Sequence, residues 1–453
     1  MAIGAAMKRA LYELTAQGLR SISESQMGME GFEGAAAYHD SQKDKLVTDV
    51  QAFSAAVNAL EASREIETLF GLKEAKRIAL QFVFSAYPLV RSGQSVDAAF
   101  ESVWDGFTRE IATPTWTFAA VANLQNIDCS DDPIDLGDGI SIRGRSFREL
   151  EALIGWTRKR LEVLAEDWAT GAAASSFVLF LEKKVPKTPD NFLLLDDGTA
   201  YLRASCVLLA LRLLAPGDVR IGRLFLARPA SFNVGIGGIQ SQGIISAGDP
   251  GRPYMLTPEL VPAIRRLYSE IRLLEVKGEK EVRNLALAMR SFSSMYERHF
   301  HQAEDRVLDA ITALEALWKL DAELAFRLSF RTGALLGATD DERISIYETV
   351  AQYYKIRSKV VHGSPLSDAQ SKLVFENEPI RDVVRRMLRA FLHLGNHPGE
   401  WSLSRLDDEA DIALLHTGRR QALREAMDLP AKPSPNPSLQ EAGGIIAALE
   451  PRR

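Results

Sequence analysis

Apolar residues recur at helical spacing in the first third of the chain. Between positions 43 and 60 they stand three or four residues apart, which places them on one face of a helix. The same spacing predicts helices over 72–90 and 96–111, before the sequence TPT at 113–115 interrupts the pattern. We therefore expect a helical N-terminal region that spans 1–114.

Between positions 115 and 257 the hydrophobic pattern changes. Short apolar runs predict β-strands at 115–121, 140–142, 176–181 and 220–226, and helical stretches alternate with them at 147–167 and 199–214. The stretch 235–253 is rich in glycine, serine and proline, which predicts a loop and a domain boundary. We expect 115–257 to be a mixed α/β domain with a sensor or regulatory role.

From Thr257 onward the pattern is helical again. It predicts successive helices at 259–275, 281–303, 304–320, 323–336, 341–362 and 379–394. Gly337 and Gly363 stand where the C-terminal caps of helices are expected. We expect a helical bundle over 258–427 and a proline-rich, largely disordered tail over 428–453. The predicted fold class is therefore mainly α, with a mixed α/β middle domain.

Composition and charge exclude several classes of protein. The 453 residues carry a formal net charge of −6, so there is no overall positive charge to attract nucleic acid or an acidic membrane. Cys129 and Cys206 are too few for a disulfide scaffold and suit a reducing compartment. No apolar run approaches the roughly 18 to 20 residues of a membrane span, and charge near the N-terminus argues against a signal peptide. We expect a soluble, cytoplasmic protein without a membrane partner.

The sequence predicts neither a cofactor nor a metal. The loop GIGG at 235–238 lacks the third glycine of the dinucleotide fingerprint, and no Walker lysine follows a glycine-rich loop. His393 and His397 have the spacing of a metal-binding pair, but the residues GNHP at 395–398 predict that the helix ends between them. A zinc site is therefore not expected.

Two opposite charges are predicted to face inward from neighbouring helices. A helical wheel over 341–362 places Arg357 within an apolar stripe, and a wheel over 304–320 places Glu315 among apolar neighbours. A guanidinium in such a stripe costs on the order of several kcal/mol unless it meets an anion. One interpretation is a buried ion pair that fixes helix register, and the other is a functional cation. His362 follows at the helix end, where an imidazole can reach a cleft.

The segment YYKIRSKVVHG at 353–363 adds a motif to these charges. Four residues separate Arg357 from His362, and the first of the four is Ser358. The segment follows one predicted helix that contains LEALW and another that contains RLSFRTGALLG. Together these features resemble the HEPN superfamily, most closely its ApeA-like branch, over about 281–395. The resemblance implies that the predicted bundle is of the HEPN type.

What the resemblance implies is a metal-independent endoribonuclease that forms a homodimer through the HEPN bundle, with the two motifs facing each other. Arg357 would hold the scissile phosphate and stabilise charge in the transition state. His362 would transfer protons while the ribose 2′-OH attacks, which leaves a 2′,3′-cyclic phosphate. Ser358 would support the phosphate, and Lys359 is a supporting residue. Glu315 would hold Arg357 in place in the empty enzyme, a role inferred from the helical wheel and not from the family.

A further feature is compatible with an RNA partner. Four arginines share one face of the predicted helix 379–394, namely Arg381, Arg385, Arg386 and Arg389. Such a face could follow a phosphate backbone despite the acidic total charge. The alternative is a solvated face that acidic residues elsewhere neutralise. Tyr353 and Tyr354 could stack on bases, although Tyr354 lies on the apolar stripe and is expected in the core.

The function predicted from the sequence is a dimeric HEPN ribonuclease of anti-phage defence by abortive infection, which cuts RNA such as tRNA. The biological role comes from the resemblance alone, and a phage-derived trigger that acts through 1–257 is left open. One alternative is a non-catalytic HEPN scaffold for dimerisation or RNA binding, in which Arg357 and Glu315 only pair. The other is the toxin of a toxin–antitoxin pair, although such toxins tend to be short and 257 residues precede this bundle.

Overall fold

The structure is a computed structural model of the chain. It describes residues 4–24, 41–129, 133–144, 177–188, 197–227, 240–244, 253–277, 279–319 and 323–431. The predicted helix at 147–167 lies outside the described residues. The predicted disordered tail also lies outside them from 432 onward.

The chain divides into two compact units, each assembled from separated stretches of sequence. Unit 1 comprises 1–123, 137–201 and 223–243. Unit 2 comprises 124–136, 202–222 and 244–453. All the candidate site residues named above belong to unit 2.

Helices in the described part of 1–123 build the apolar core of unit 1. They are α1 (Ala5–Glu24), α2 (Ser41–Thr48), α3 (Ala52–Glu61), α4 (Arg64–Phe70), α5 (Ala75–Arg91) and α6 (Val96–Ala112). In the core the rings of Phe82, Phe100, Trp104 and Phe107 contact one another. The single helix predicted over 43–60 is wrong, because a turn after α2 redirects the chain so that both α2 and α3 pack against α1 and α5.

A six-stranded sheet follows the first helices. The strands of the described residues are β1 (Thr115–Gln125), β2 (Ile127–Cys129), β3 (Ile134–Gly137), β4 (Ile140–Gly144), β5 (Phe177–Pro186), β6 (Arg220–Ala227), β7 (Gln240–Ile244) and β8 (Tyr254–Leu256). The order in the sheet is β3-β4-β5-β1-β6-β7, and β4 and β5 pair antiparallel with Ile140 opposite Leu181. The strands β2 and β8 pair separately and run parallel. The loop predicted over 235–253 is wrong at β7, whose backbone pairs with β6 in the sheet.

Unit 2 is mainly helical. The remaining helices are α7 (Asp197–Leu214), α8 (Val261–Val276), α9 (Glu279–Glu297), α10 (Ala303–Trp318), α11 (Leu324–Leu336), α12 (Asp340–Val361), α13 (Asp368–Phe375), α14 (Glu378–Asn396), α15 (Leu403–Leu415) and α16 (Thr417–Ala426). A mainly α fold with some α/β content is thus confirmed. No helix in the described part of the chain is both long enough and apolar enough to cross a membrane.

The helix α14 is at the centre of unit 2. It packs against α8, α9, α10, α11, α12 and α15. The ring of Trp318, at the end of α10, meets Phe391 of α14 edge-on at 5.2 Å between centroids. The indole N–H of Trp318 donates to Thr332 Oγ1 of α11 at 3.1 Å, and both side chains are buried. One hydrogen bond therefore ties together two of the helices that cover α14.

We predict that Thr332→Val lowers the free energy of unfolding by about 1 to 3 kcal/mol, because it leaves the buried indole N–H of Trp318 without an acceptor. Thr349→Val is the matched control, since the buried Thr349 hydroxyl donates only to the Ser345 carbonyl of its own helix. Urea unfolding followed by tryptophan fluorescence measures both variants. Equal losses in the two variants would contradict the assigned role of the Trp318–Thr332 bond.

Candidate functional site

The C-terminal end of α12 carries the predicted motif and is capped by hydrogen bonds between its own backbone groups. Gly363 has φ of +65°, which a residue with a Cβ adopts only at a cost. In this conformation the Gly363 N–H donates to the Val360 carbonyl at 3.1 Å, and the Ser364 N–H donates to the Lys359 carbonyl at 2.8 Å. This double closure is a Schellman motif. It ends the helix at Val361 and leaves His362, the C-cap residue, at the tip.

Arg357 lies one turn before the tip, beside Glu315 of α10. Its Nη2 atom is 3.6 Å from Glu315 Oε2, and its guanidinium lies 5.8 Å from the centre of the Tyr354 ring. The two charged side chains retain 29% and 21% of their exposure, respectively. Glu315 Oε1 is buried and accepts no hydrogen bond from the described residues. The pair is therefore long and incompletely buried.

The position of Arg357 corrects the helical-wheel prediction. The buried residues of α12 are Ile346, Thr349, Val350, Tyr353 and Ile356. Arg357 is not among them, and its side chain keeps 29% of its exposure. Val361, which the wheel placed in the same stripe, is 54% exposed because it belongs to the last turn, at the protruding end of α12.

The burial of the two tyrosines of the motif is the reverse of the prediction. Tyr353 is 1% exposed, and its hydroxyl donates to the carbonyls of Leu373 and Glu376 at 3.1 Å each. It belongs to the core and holds α13 against α12. Tyr354, which was expected in the core, is only partly buried and borders Arg357.

His362 and Ser358 are the accessible groups of the motif. His362 is exposed and Ser358 is half-buried. The His362 N–H donates to the Ser358 carbonyl at 3.2 Å, whereas neither of their side chains forms a hydrogen bond within the described residues. The structure thus brings Arg357, Ser358 and His362 to one helix end without joining their side chains. Lys359 is different, because its ammonium group donates to Gln370 Oε1 at 2.9 Å and supports the loop that follows.

Most of the predicted arginine face is buried in the structure. Arg381, Arg385 and Arg386 are 7%, 2% and 5% exposed. Their guanidinium groups pair with acidic groups of unit 2, namely Arg381 with Asp218 at 2.6 Å, Arg385 with Glu378 at 3.0 Å, and Arg386 with Glu342 at 2.8 Å. These three arginines therefore do not form a surface for RNA, which corrects that prediction. Two of the acidic partners are remote in sequence, Asp218 by 163 residues and Glu342 by 44, so local spacing could not reveal those pairs.

Arg389 differs from the other three arginines of α14. It is partly buried and lines a cavity of about 300 Å³ together with Arg266, Glu270 and His393. Its guanidinium forms no hydrogen bond or ion pair within the part of the chain that the structure describes. Burial lowers the pKa of Arg389, and Asp382 and Asp428 only partly oppose this effect.

A group of potential metal ligands borders the same cavity. Glu270 of α8 lies beside His393 and His397, with one ligand atom from each residue within 4.8 Å of the others. The prediction that the helix ends between the two histidines is correct, since α14 ends at Asn396. The His397 N–H nevertheless donates to the His393 carbonyl at 2.9 Å, so that His397 follows His393 by one turn. Glu270 gave no signal in the sequence because it is 123 residues away from His393.

Comparison with known proteins yields no relative. Neither a family model, nor a curated protein, nor a solved structure matches the chain. Any function must therefore be argued from the residues themselves.

We predict that Gly363→Ala lowers the free energy of unfolding by about 1 to 2 kcal/mol, because alanine is strained at φ of +65°. A Cβ at Gly363 would meet nothing within 4 Å, so the effect isolates backbone strain. Gly399→Ala is the matched control, since Gly399 has equally open space and no positive φ. Thermal unfolding of both variants measures the difference, and equal stability would contradict the cap.

We predict that the free energy of unfolding of Glu315→Gln, minus that of the native chain, increases as the pH rises. Burial raises the pKa of Glu315 above its ordinary value of 4.5, and Arg357 only partly opposes this effect. A raised carboxyl pKa means that ionisation costs stability above the folded-state pKa, and that this cost vanishes below about 4.5. Glutamine removes the cost because it resembles the neutral acid.

The measurement is the difference in free energy of unfolding between Glu315→Gln and the native chain, taken at several pH values from 4 to 7. Glu348→Gln, an exposed position on α12, serves as the control and is expected to show a smaller pH dependence. A difference for Glu315→Gln that falls with rising pH would show that Arg357 dominates over burial.

Proposed function

We propose that this chain is a metal-independent HEPN endoribonuclease that acts in the cytoplasm as a homodimer. The observation that carries the proposal is the end of α12, where a loosely paired arginine and an exposed imidazole stand within one turn of a helix tip. Arginine supplies a fixed cation for a phosphate, and histidine is the side chain that exchanges protons near neutral pH. These are the two groups that RNA cleavage by its own 2′-OH requires.

Arg357 and His362 would have different roles in the reaction. The ribose 2′-oxygen attacks the phosphorus, its proton passes to a base, and the bond from phosphorus to the 5′-oxygen breaks. The leaving 5′-oxygen takes up a proton, so that the products are a 2′,3′-cyclic phosphate and a 5′-hydroxyl. Arg357 would bind the non-bridging oxygens as charge develops there, and Ser358 would donate to the same phosphate.

The reaction has two proton transfers, and two imidazoles, one from each copy of the chain, could carry them out. This favours the homodimer. One His362 would accept the proton of the 2′-OH, and His362 of a second copy would protonate the leaving oxygen. In this arrangement a second copy of the chain would cover Val361, an apolar residue that is 54% exposed next to His362. We propose that the HEPN bundles meet at this end of α12, and that 1–257 responds to a phage-derived trigger.

The second candidate is a non-catalytic HEPN scaffold. The Arg357–Glu315 pair favours it, because a carboxylate already lies beside the cation. The separation of 3.6 Å and the partial exposure of both groups leave room for a phosphate to replace Glu315. The two candidates therefore differ in whether Arg357 and His362 are needed for RNA cleavage.

We predict that the native chain cuts total RNA or tRNA in EDTA and leaves 2′,3′-cyclic phosphate ends. His362→Ala and Arg357→Ala are each expected to reduce the rate at least about 100-fold, since each removes a group that acts in the transition state. His301→Ala and Arg290→Ala, which alter exposed side chains elsewhere in unit 2, are the matched controls and are expected to cut at the native rate.

The assay is repeated with extract from phage-infected cells, which supplies a trigger if one is needed. Cleavage that is equal in the native chain and in His362→Ala would reject the assignment of His362. Absence of cleavage under both conditions, with the dimer intact, would favour the scaffold.

A further inference from the structure

Three potential metal ligands meet where the end of α14 contacts α8. Glu270 Oε1 lies 3.2 Å from His393 Nδ1 and 3.6 Å from His397 Nε2. Ligands that bind one ion at about 2.1 Å stand roughly 3.0 to 3.4 Å apart in octahedral or tetrahedral geometry. The observed separations are therefore close to those of a ligand set, and small side-chain shifts would complete it.

A cation already occupies the position between two of these ligands. The Arg266 guanidinium donates from Nε to Glu270 Oε1 at 3.0 Å, and its Nη2 atom is 2.8 Å from His393 Nδ1. A guanidinium has only donors, so in the tautomer that pairs with Arg266 the lone pair of His393 Nδ1 faces the cation, which is the form that binds a metal; in the other tautomer Nδ1 donates to Glu270 Oε1. Arg266 is half-exposed and also pairs with Asp428 at 2.6 Å, so it can withdraw to that carboxylate.

Hydrogen bonds hold the backbone around the three potential ligands in place. Asn396 Nδ2 donates to the Glu270 carbonyl at 2.9 Å and to the Leu392 carbonyl at 3.1 Å. Lys277 Nζ donates to the Gly395 carbonyl. These bonds hold the last turn of α14 against α8, and Glu270 itself is only 4% exposed. A site whose ligands are held in place loses little conformational entropy when it binds an ion.

One side of the ligand group borders a cavity. Glu270 and His393 contribute to the wall of the cavity of about 300 Å³, and Arg389 does so as well. Arg389 makes no hydrogen bond or ion pair within the described residues, and Asp382 and Asp428 act on its charge only at longer range. A metal bound by three protein groups keeps positions open, and here a small anion could reach both the metal and Arg389.

We infer that Glu270, His393 and His397 form a binding site for a divalent transition metal such as Zn²⁺, whose open positions take a small oxyanion from the cavity. The ligand set of two imidazoles and one carboxylate suits zinc and its neighbours in the first transition row. The site shares no residue with the motif at the end of α12. The proposed RNA cleavage is expected in EDTA, so the two proposals have separate readouts.

A purely structural ion pair is the competing explanation, and Arg266 distinguishes the two. If Arg266 only neutralises Glu270, its removal would destabilise the fold and create no metal affinity. If it occupies a metal position, Arg266→Gln would remove a competing cation and raise metal affinity. His397 is suited to the opposite test, because its side chain is 55% exposed and its loss should leave the fold intact.

The experiment titrates the full chain, first stripped with EDTA, with Co²⁺ and then displaces it with Zn²⁺. The native chain is expected to bind one equivalent and to give the visible absorption of cobalt with nitrogen and oxygen ligands, and zinc should raise its unfolding temperature. His397→Ala should bind at least about tenfold more weakly, and Arg266→Gln more tightly than the native chain. His301→Ala, which removes an exposed histidine elsewhere in unit 2, should bind as the native chain does.

Two results would overturn the metal site: no stoichiometric binding by the native chain, or equal binding by His397→Ala in a folded state. Weaker binding by His301→Ala would instead reveal adventitious capture by surface histidines. Inorganic phosphate tests the open positions, since it should alter the cobalt spectrum of the native chain more than that of Arg389→Met. Equal spectra would overturn the oxyanion part of the proposal.

Discussion

Buried arginine on α14 is the constraint on which the rest of unit 2 depends. A guanidinium cannot lose its charge in a protein, so its burial requires anionic or carbonyl partners. Arg385 meets this demand with Glu378, Asp382 and the Arg212 carbonyl. Burial lowers the pKa of Arg385, whereas Tyr296, Glu378 and Asp382 act in the opposite direction and raise it above its ordinary value. Glu378 and Asp382 belong to α14 itself, whereas the bond to the Arg212 carbonyl ties α7 to α14.

The same criterion separates structural arginines from candidates for function. Arg385 is almost fully buried and has several partners, whereas Arg357 is partly exposed and has one distant carboxylate. Removing a partner from Arg385 would leave a buried charge, which costs on the order of 3 to 5 kcal/mol. Arg357 can exchange its partner at little cost because solvent screens the pair. Arg389 combines burial with the lack of a partner within the described residues, and it borders a cavity.

Local signals in the sequence were sufficient to predict the helices of unit 2 from α8 to α12. The end of α12 was also predictable, because glycine at position 363 supplies a backbone conformation that other residues avoid. The environment of α14 was not predictable. Asp218 and Arg381 are 163 residues apart, and no spacing rule connects such a pair. The Gly395 carbonyl in the last turn of α14 accepts from Lys277, 118 residues away, and local propensity cannot predict such a bond.

The two candidate sites depend on the fold to different degrees. The end of α12 is closed by two backbone bonds of its own, so side chains at its tip can change without loss of the helix end. The end of α14 is held by Lys277, directly after α8, which donates to the Gly395 carbonyl, and by Asn396 of α14, which donates to the Glu270 carbonyl of α8. A substitution near Glu270 can therefore act through geometry as well as through lost ligands. For this reason an exposed ligand such as His397, rather than buried Glu270, separates binding from folding at that site.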